Sequence, residues 1–292
     1  SSDEAKQWQE AMDEEIKSVQ HHQTWRLTRL PKGRRPIKSK WVYKKKLAAD
    51  GTTERYKARL VAKGYSQQEG VDYNETFAPV VKYKSIRTIL ALAAHFEMKV
   101  HQMDVKTAFL YGNLNEDIFM EQPQGYQQGG DDVVCKLEKG LYGLKQAPKN
   151  WNEHLHQTLT NFNLRQCKSD PCVYVSQERS ARTILAVYVD DLIIASTSAR
   201  KRETIKQKLS SEYDMKDLGE MKWCLQMRIK QEPGRISLDQ QQLCVSILKK
   251  FGMEQAAPVK TPMAVGPTIA VPSQETEAFD KTRYQSAVGS LL

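Results

Sequence analysis

The sequence predicts an α+β protein built on antiparallel sheet. Three observations carry that expectation. Thr183–Ala195 places two strand-length runs of β-branched and apolar residues on either side of Asp190-Asp191, the pattern of a buried hairpin. Lys40–Leu47 with Arg55–Ala62, and Trp223–Lys230 with Arg235–Leu238, read as two more hairpins, turning at Asp50-Gly51 and Pro233-Gly234. Between these hairpins lie segments whose apolar residues recur at helical spacing.

The helices follow in order. Residues 4–20 carry Trp8, Met12, Ile16 and Val19 along one stripe, with Asp3 as the N-cap. Ser85–His95 turns Ile86, Ile89, Leu90 and Ala93 inward. A short strand, Met98–Met103, then ends at Asp104. Val133–Leu137 is another strand and leads into Gly140–Pro148. Pro148 suits the first turn of a helix bearing Trp151, Leu155 and Leu159. Beyond the acidic hairpin, Lys201–Tyr213 is amphipathic, with Ile205, Leu209 and Tyr213 on one side, and Met215–Gly219 closes that unit. Gln240–Phe251 is a helix with Leu243, Ile247, Leu248 and Phe251 inward; loops are expected past Gly252, where Pro, Ala and Thr dominate. There is no internal repeat.

Composition narrows the function classes. The chain has 292 residues, 40% hydrophobic and 27% charged, which is ordinary for a folded protein. Forty-four Lys+Arg against 35 Asp+Glu leaves +9, a balance suited to a polyanionic partner. The excess is concentrated: Pro31–Lys63 holds twelve basic residues against Asp50 and Glu54. Alternation puts Lys44 and Lys46 on one face of its first strand, and Lys57 and Arg59 on one face of its second. Such a hairpin is a solvated face, an import patch or a phosphate-binding surface. Five cysteines without CxxC pairs point to reduced thiols and an intracellular setting, and Cys167 and Cys172 lack partners for a zinc site. No apolar run of roughly eighteen residues and no signal peptide is seen, so no membrane partner is expected. The abrupt start and end suggest a piece of a longer polypeptide.

Asp190-Asp191 is an odd turn, since two-residue turns favour Asn-Gly or Asp-Gly. Adjacent carboxylates repel, and more so in apolar surroundings. A solvated acidic turn is one reading. A site for a hard divalent cation, which takes oxygen ligands from one or two carboxylates and from substrate phosphates, is the other.

The ordered set of segments decides between them. Tyr188-Val189-Asp190-Asp191 on a hairpin, preceded by the strand-end Asp104, resembles the palm of a reverse transcriptase. The longer resemblance is to copia-type LTR retrotransposons, from about Trp8 to the last residue. It is carried by Lys40–Lys46, Tyr56–Gly64, Thr76–Val80, Gln102–Leu110, Gly140–Pro148 and Tyr284–Leu292. The resemblance implies a right-hand fold: fingers over 1–79 and 114–148, palm over 80–113 and 149–230, and thumb with the start of a connection over 231–292. The family places RNase H after a segment like Tyr284–Leu292, so no RNase H domain is expected.

It also implies an RNA-directed DNA polymerase that extends a primer on an RNA or DNA template with dNTPs, using two Mg²⁺ or Mn²⁺ ions. The implied setting is cytoplasmic, within virus-like particles. Asp104, Asp190 and Asp191 would be catalytic and would hold metal together with the Val105 carbonyl. Lys46, Arg59 and, in another register, Lys57 would bind the triphosphate, Arg through its planar fork. Thr107, Ala108, Phe109 and Tyr142 would line the nucleotide pocket, with Phe109 selecting the sugar. Lys216 would protonate pyrophosphate. Leu225, Gln226 and Met227 would form the primer grip, where the family's Phe-Leu-Gly-Ile-Glu is replaced by Cys224-Leu225-Gln226-Met227-Arg228. A catalytically idle RNA-packaging module and a two-metal nuclease are the rival readings; the three aspartates oppose the first and the basic hairpin the second.

Overall fold

The computed structural model describes residues 4–47, 53–130, 132–176, 178, 181–260 and 280–292. Asp3 and the Asp50-Gly51 turn lie outside them. The described chain runs α1 (Ala5–His21), β1 (Trp25–Arg29), β2 (Ser39–Leu47), β3 (Thr53–Ala62), α2 (Tyr83–His95), β4 (Lys99–Val105), β5 (Asn113–Met120) and β6 (Val133–Lys139). It continues through α3 (Ala147–Asn161), β7 (Leu164–Gln166), β8 (Val173–Ser176), β9 (Thr183–Tyr188), β10 (Asp191–Ser196) and α4 (Ala199–Glu212). Last come β11 (Met215–Glu220), β12 (Trp223–Cys224), β13 (Met227–Glu232), β14 (Arg235–Asp239), α5 (Gln241–Phe251) and α6 (Lys281–Leu291). The protein is α+β, as its sequence predicts.

Two compact units emerge. One runs to Met221 and adds Pro233–Arg235; the other is Lys222–Glu232 with Ile236–Leu292. The first unit contains a six-stranded antiparallel sheet in the order β11-β4-β10-β9-β8-β7. Its centre is the apolar hairpin of β9 and β10, where Leu185, Ala186, Leu192, Ile194 and Ala195 are fully buried. α2 and α4 pack against it, burying Ile86, Ile89, Leu90 and Ala93 from one helix and Ile205 and Leu209 from the other. A three-stranded sheet, β1-β6-β5, and the β2–β3 ribbon share another core around Val19, Leu60, Ile118, Met120 and Leu137. α1 lies on β3.

One glycine pair fixes how the ribbon meets the rest of that unit. Gly143 has φ +90, and a Cβ there would fall 2.1 Å from the Ala62 carbonyl oxygen. Gly64 would likewise meet the Gly143 oxygen at 2.0 Å. Their bareness lets the Ala62 amide donate to the Tyr142 carbonyl at 2.7 Å, which seats Tyr142 beneath β3.

The structure differs from the sequence reading at several places. β4 runs through Asp104 to Val105, so the aspartate lies within the strand. β1, β5, β7, β8 and β11 are strands the pattern did not reveal. α6 is helical where loops are expected. Leu243, Ile247, Leu248 and Phe251 of α5 are not buried: the first, second and fourth are half-buried and Leu248 is exposed, and no residue of α5 or α6 is buried. In the second unit the order is β12-β13-β14.

Candidate active site

Strand register builds the site. Asp104 on β4 is paired with Asp191 on β10 at one side and Lys216 on β11 at the other. Directly opposed residues share a face, so these three charged side chains form a row across the sheet. The hairpin turn sits one residue earlier than the acidic pair suggests. Tyr188 pairs with Asp191, which leaves Val189 and Asp190 as the turn residues. Val189 has φ +57. A positive φ at the first turn position ordinarily calls for glycine. Asp190 thereby projects from the sheet's end, while Asp191 opens β10.

The β2–β3 ribbon supplies the opposite wall. Its register pairs Lys44 with Lys57, Lys46 with Arg55, and Val42 with Arg59. All six therefore share one face, and all six line a cleft of about 610 Å³. The predicted alternation of Lys44 with Lys46 and of Lys57 with Arg59 is what the structure displays. Asp104, Val105, Lys106, Thr107, Tyr142, Asp190, Asp214 and Lys216 line the same cleft. The Arg59 guanidinium carbon stands 4.7 Å above the Tyr142 ring, a cation–π contact that orients it. Burial, then the charges of Arg59 and Lys46, lower the pKa of Lys57.

The carboxylates are in tension. Burial, followed by the charges of Asp190 and Asp191, raises the pKa of Asp104. Burial likewise raises that of Asp191, opposed by a hydrogen bond from Gln102, with Asp190 pushing it further up. Gln102 Nε2 donates to Asp191 Oδ1 at 2.8 Å. Asp191 is thus partly committed, and it does not line the cleft as Asp104 and Asp190 do. Among the described residues no three His, Cys, Asp or Glu side chains converge as a ready metal cage. Asp104, whose repulsion by the neighbouring aspartates is only partly offset by Lys57 and Lys46, and the cleft-facing Asp190 nevertheless fit a hard divalent cation, whose remaining ligands would come from water and substrate phosphate.

Of the other predicted residues in the first unit, Thr107 lines the cleft and Ala108 and Phe109 do not. Phe109 is half-buried, edge-to-face with Tyr142 at 5.0 Å. Ala108 is buried, and Thr107 sits at φ +52 just before the 3-10 turn Ala108–Tyr111. Leu225, Gln226 and Met227 belong to the second unit, at the β12–β13 turn.

Four cleft or near-cleft residues were not anticipated. Lys106 pairs with Asp214 at 3.0 Å, and its amide donates to the Asp214 carbonyl. Glu15 on α1 is buried, lines the cleft, and accepts from the Leu60 amide at 3.2 Å; burial raises its pKa. A signal for it existed, because Met12, Glu15 and Val19 share the inward stripe of α1. Gln102 is the fourth.

An acidic sheet end facing a wall of cations is the charge arrangement that suits phosphate groups. Residues 22–265 match the reverse transcriptase (RNA-dependent DNA polymerase) family, and the chain belongs to it. It is 43% identical, over its whole length, to a retrovirus-related Pol polyprotein from transposon TNT 1-94 of Nicotiana tabacum, covering 23% of that protein. It is 38% identical over 97% of its length to the Pol polyprotein from transposon RE1 of Arabidopsis thaliana, covering 19% of it. The resemblance to copia-type elements is borne out. The chain spans less than a quarter of either relative. A foamy viral protease-reverse transcriptase solved with double-stranded DNA aligns over 97% of this chain and 40% of its own, at 10% identity and TM-score 0.44, too distant to bear on the assignment.

Among the described residues no helix is long and apolar enough to cross a membrane.

Proposed function

We propose that this domain is an RNA-directed DNA polymerase that extends a nucleic-acid primer with dNTPs during retrotransposon replication. One observation carries the reading: Asp104 and Asp190 share a single cleft with Lys44, Lys46, Arg55, Lys57 and Arg59. Phosphoryl transfer asks for positioning and charge neutralisation more than covalent help, and this cleft is equipped for both. In hand terms, β2–β3 belongs to the fingers, the six-stranded sheet and the stretch up to residue 230 to the palm, and residues 231–292 to the thumb and the start of a connection.

Asp104, Asp190 and the Val105 carbonyl, with Asp191 in support, would hold two divalent ions, Mg²⁺ or Mn²⁺, which would supply electrostatic activation of the primer hydroxyl and of the leaving group. The protein's own groups do the rest. Lys46, Lys57 and Arg59 bind the triphosphate, with Arg59 braced on Tyr142. Lys216 donates a proton to departing pyrophosphate, a role supported by its pairing across the sheet with Asp104 and its position in the cleft lining. Phe109, against Tyr142, crowds the sugar and rejects a 2′-hydroxyl.

The test is primer extension on a primed RNA template with Mg²⁺ or Mn²⁺. Binding without extension would favour an idle packaging module, and strand cleavage would favour a nuclease. Within the assay, Arg59→Ala raises the dNTP KM by about tenfold, the scale of one charge-assisted phosphate contact. An effect on duplex affinity alone would move Arg59 out of the nucleotide site. Phe109→Val raises the ribonucleotide-to-deoxynucleotide incorporation ratio by about ten- to a hundredfold. Loss of both activities at constant ratio would leave Phe109 a packing residue.

A further inference from the structure

Val189 is the least expected residue of the β9–β10 turn. It is β-branched and sits at φ +57, where such side chains crowd their own backbone. A conformation of this kind persists where its surroundings over-determine it. Three restraints surround this one. The pair Tyr188–Asp191 closes the hairpin. The Val105 amide donates to the Asp190 carbonyl at 2.8 Å. The indole Nε1 of Trp151 donates to the Val189 carbonyl at 2.7 Å. The first two are main-chain restraints that many sequences would satisfy. The third depends on one side chain.

Trp151 is itself held firmly. It is 1% exposed, in α3, and its ring lies edge-to-face with Tyr213 at 5.3 Å. It also neighbours Tyr111, which ends the 3-10 turn following Asp104 and Val105. Tyr111 Oη accepts from the Asp214 amide at 2.7 Å. Gly112 explains how closely α3 sits on that segment: a Cβ there would lie 2.8 Å from the Trp151 amide nitrogen. One helix therefore touches the Asp190 turn and the segment that follows Asp104.

We propose that Trp151 is a positioning residue for polymerisation, aiming Asp190 by fixing the carbonyl of the strained residue before it. This rests on the polymerase reading above. The indole donor anchors the turn from the helix side, while Val105 anchors it from the Asp104 side. Removing the donor leaves the hairpin paired but frees the peptide between Val189 and Asp190 to rotate.

Three variants test it. Trp151→Phe keeps most of the ring and removes the N–H. Replacing Trp151 by benzothienylalanine keeps the full bicyclic shape and removes the N–H. Val189→Gly removes the strain. Both Trp151 replacements lower kcat by about tenfold, with dNTP KM and primer–template Kd within about twofold, the scale of one hydrogen bond. Amide exchange at Val105 and Asp191 quickens in both, whereas exchange in the middle of α3 and β9 does not. In the Val189→Gly background the exchange difference at Val105 between Trp151 and its isostere shrinks. The inference is overturned if the isostere leaves kcat and Val105 exchange unchanged, or if exchange rises evenly through α3 and β9, which would make Trp151 a packing residue only. Failure of the unmodified protein to extend any primer would instead refute the polymerase reading, and the exchange experiment would still report on the turn.

Discussion

Among the described residues, two hairpins turn in two residues without glycine, and they do so differently. At the β9–β10 turn one residue, Val189, lies at positive φ. At the β12–β13 turn both do, Leu225 at +48 and Gln226 at +65, between the paired residues Cys224 and Met227. Two consecutive positive φ angles define the turn that favours Asn-Gly. The first turn belongs to a six-stranded sheet, and both of its carbonyls accept hydrogen bonds, from Trp151 and Val105. The second joins a two-residue strand to a six-residue one, and Trp223 beside it is 40% exposed. Strain at the first is thus matched by a dense and specific environment that fixes an acidic side chain. At the second it falls on Leu225 and Gln226, two residues with side chains in a conformation that favours glycine.

The sharpest break in that comparison is removal of the acid. Asp190→Asn abolishes primer extension, by on the order of a thousandfold or more, because an ionic ligand at the phosphoryl-transfer site is lost. Primer–template affinity stays within about twofold, since the β2–β3 cations are untouched. Unchanged turnover would remove Asp190 from the site. Binding itself weakens steeply with salt, each phosphate neutralised by this face adding close to one unit to the slope of log K against log salt. A flat response would mean that the cationic face meets only solvent.

Acidity gives a second contrast. The raised pKa values of Asp104 and Asp191 mean that the folded protein holds protons that the unfolded chain releases. Their penalty is absent below the ordinary aspartate value of 3.8 and grows as pH rises through and above it. Other carboxylates work in the opposite sense, for example Asp170, whose pKa is lowered by hydrogen bonds from Ser85 Oγ and the Lys82 amide despite its burial. The clean measurement is therefore a difference. With chelator present, Asp104→Asn is more stable than the unmodified protein, and the gap widens from about pH 4 upward. Mg²⁺ narrows it by stabilising only the protein that can bind it. A gap that closes with rising pH would contradict the proposed repulsion.

Much of this was legible in the sequence, for reasons that the hairpins illustrate. Thr183–Ala195 is apolar on both strands because the sheet buries them, so run length and β-branching announce it. The β2–β3 ribbon shows one face to a cleft, so alternation announces that. What escaped was set by tertiary pairing. Asp191 is claimed by both Tyr188 and Asp104, which moves the turn back onto Val189; no local rule puts valine there. β5 begins Asn113-Leu114-Asn115-Glu116-Asp117, too polar to look like a strand, yet ends in the buried trio Ile118, Phe119 and Met120. β7 has three residues and exists only because β8 pairs with it. Gln102 opens a segment that carries the resemblance and Trp151 lies on the apolar stripe of a predicted helix, but neither role was legible, since each depends on a bond to a residue far along the chain.

The smallest expected effect concerns the second hairpin. Gln226→Gly supplies a residue suited to φ +65 and relieves steric strain, while giving the unfolded chain more freedom. The first term favours the variant by about 1–2 kcal/mol and the second opposes it by about 0.5–1 kcal/mol, so a net gain of somewhat under about 1 kcal/mol is expected. Leu225→Gly gains less, because a buried neighbour pair, Cys224 and Met227, loses an adjoining apolar side chain. Denaturant midpoints of the two variants, compared at equal slope, read this out. If Gln226→Gly lowers the midpoint, contacts of the glutamine side chain outweigh the strain, and the second turn is held by its side chains as firmly as Trp151 holds the first.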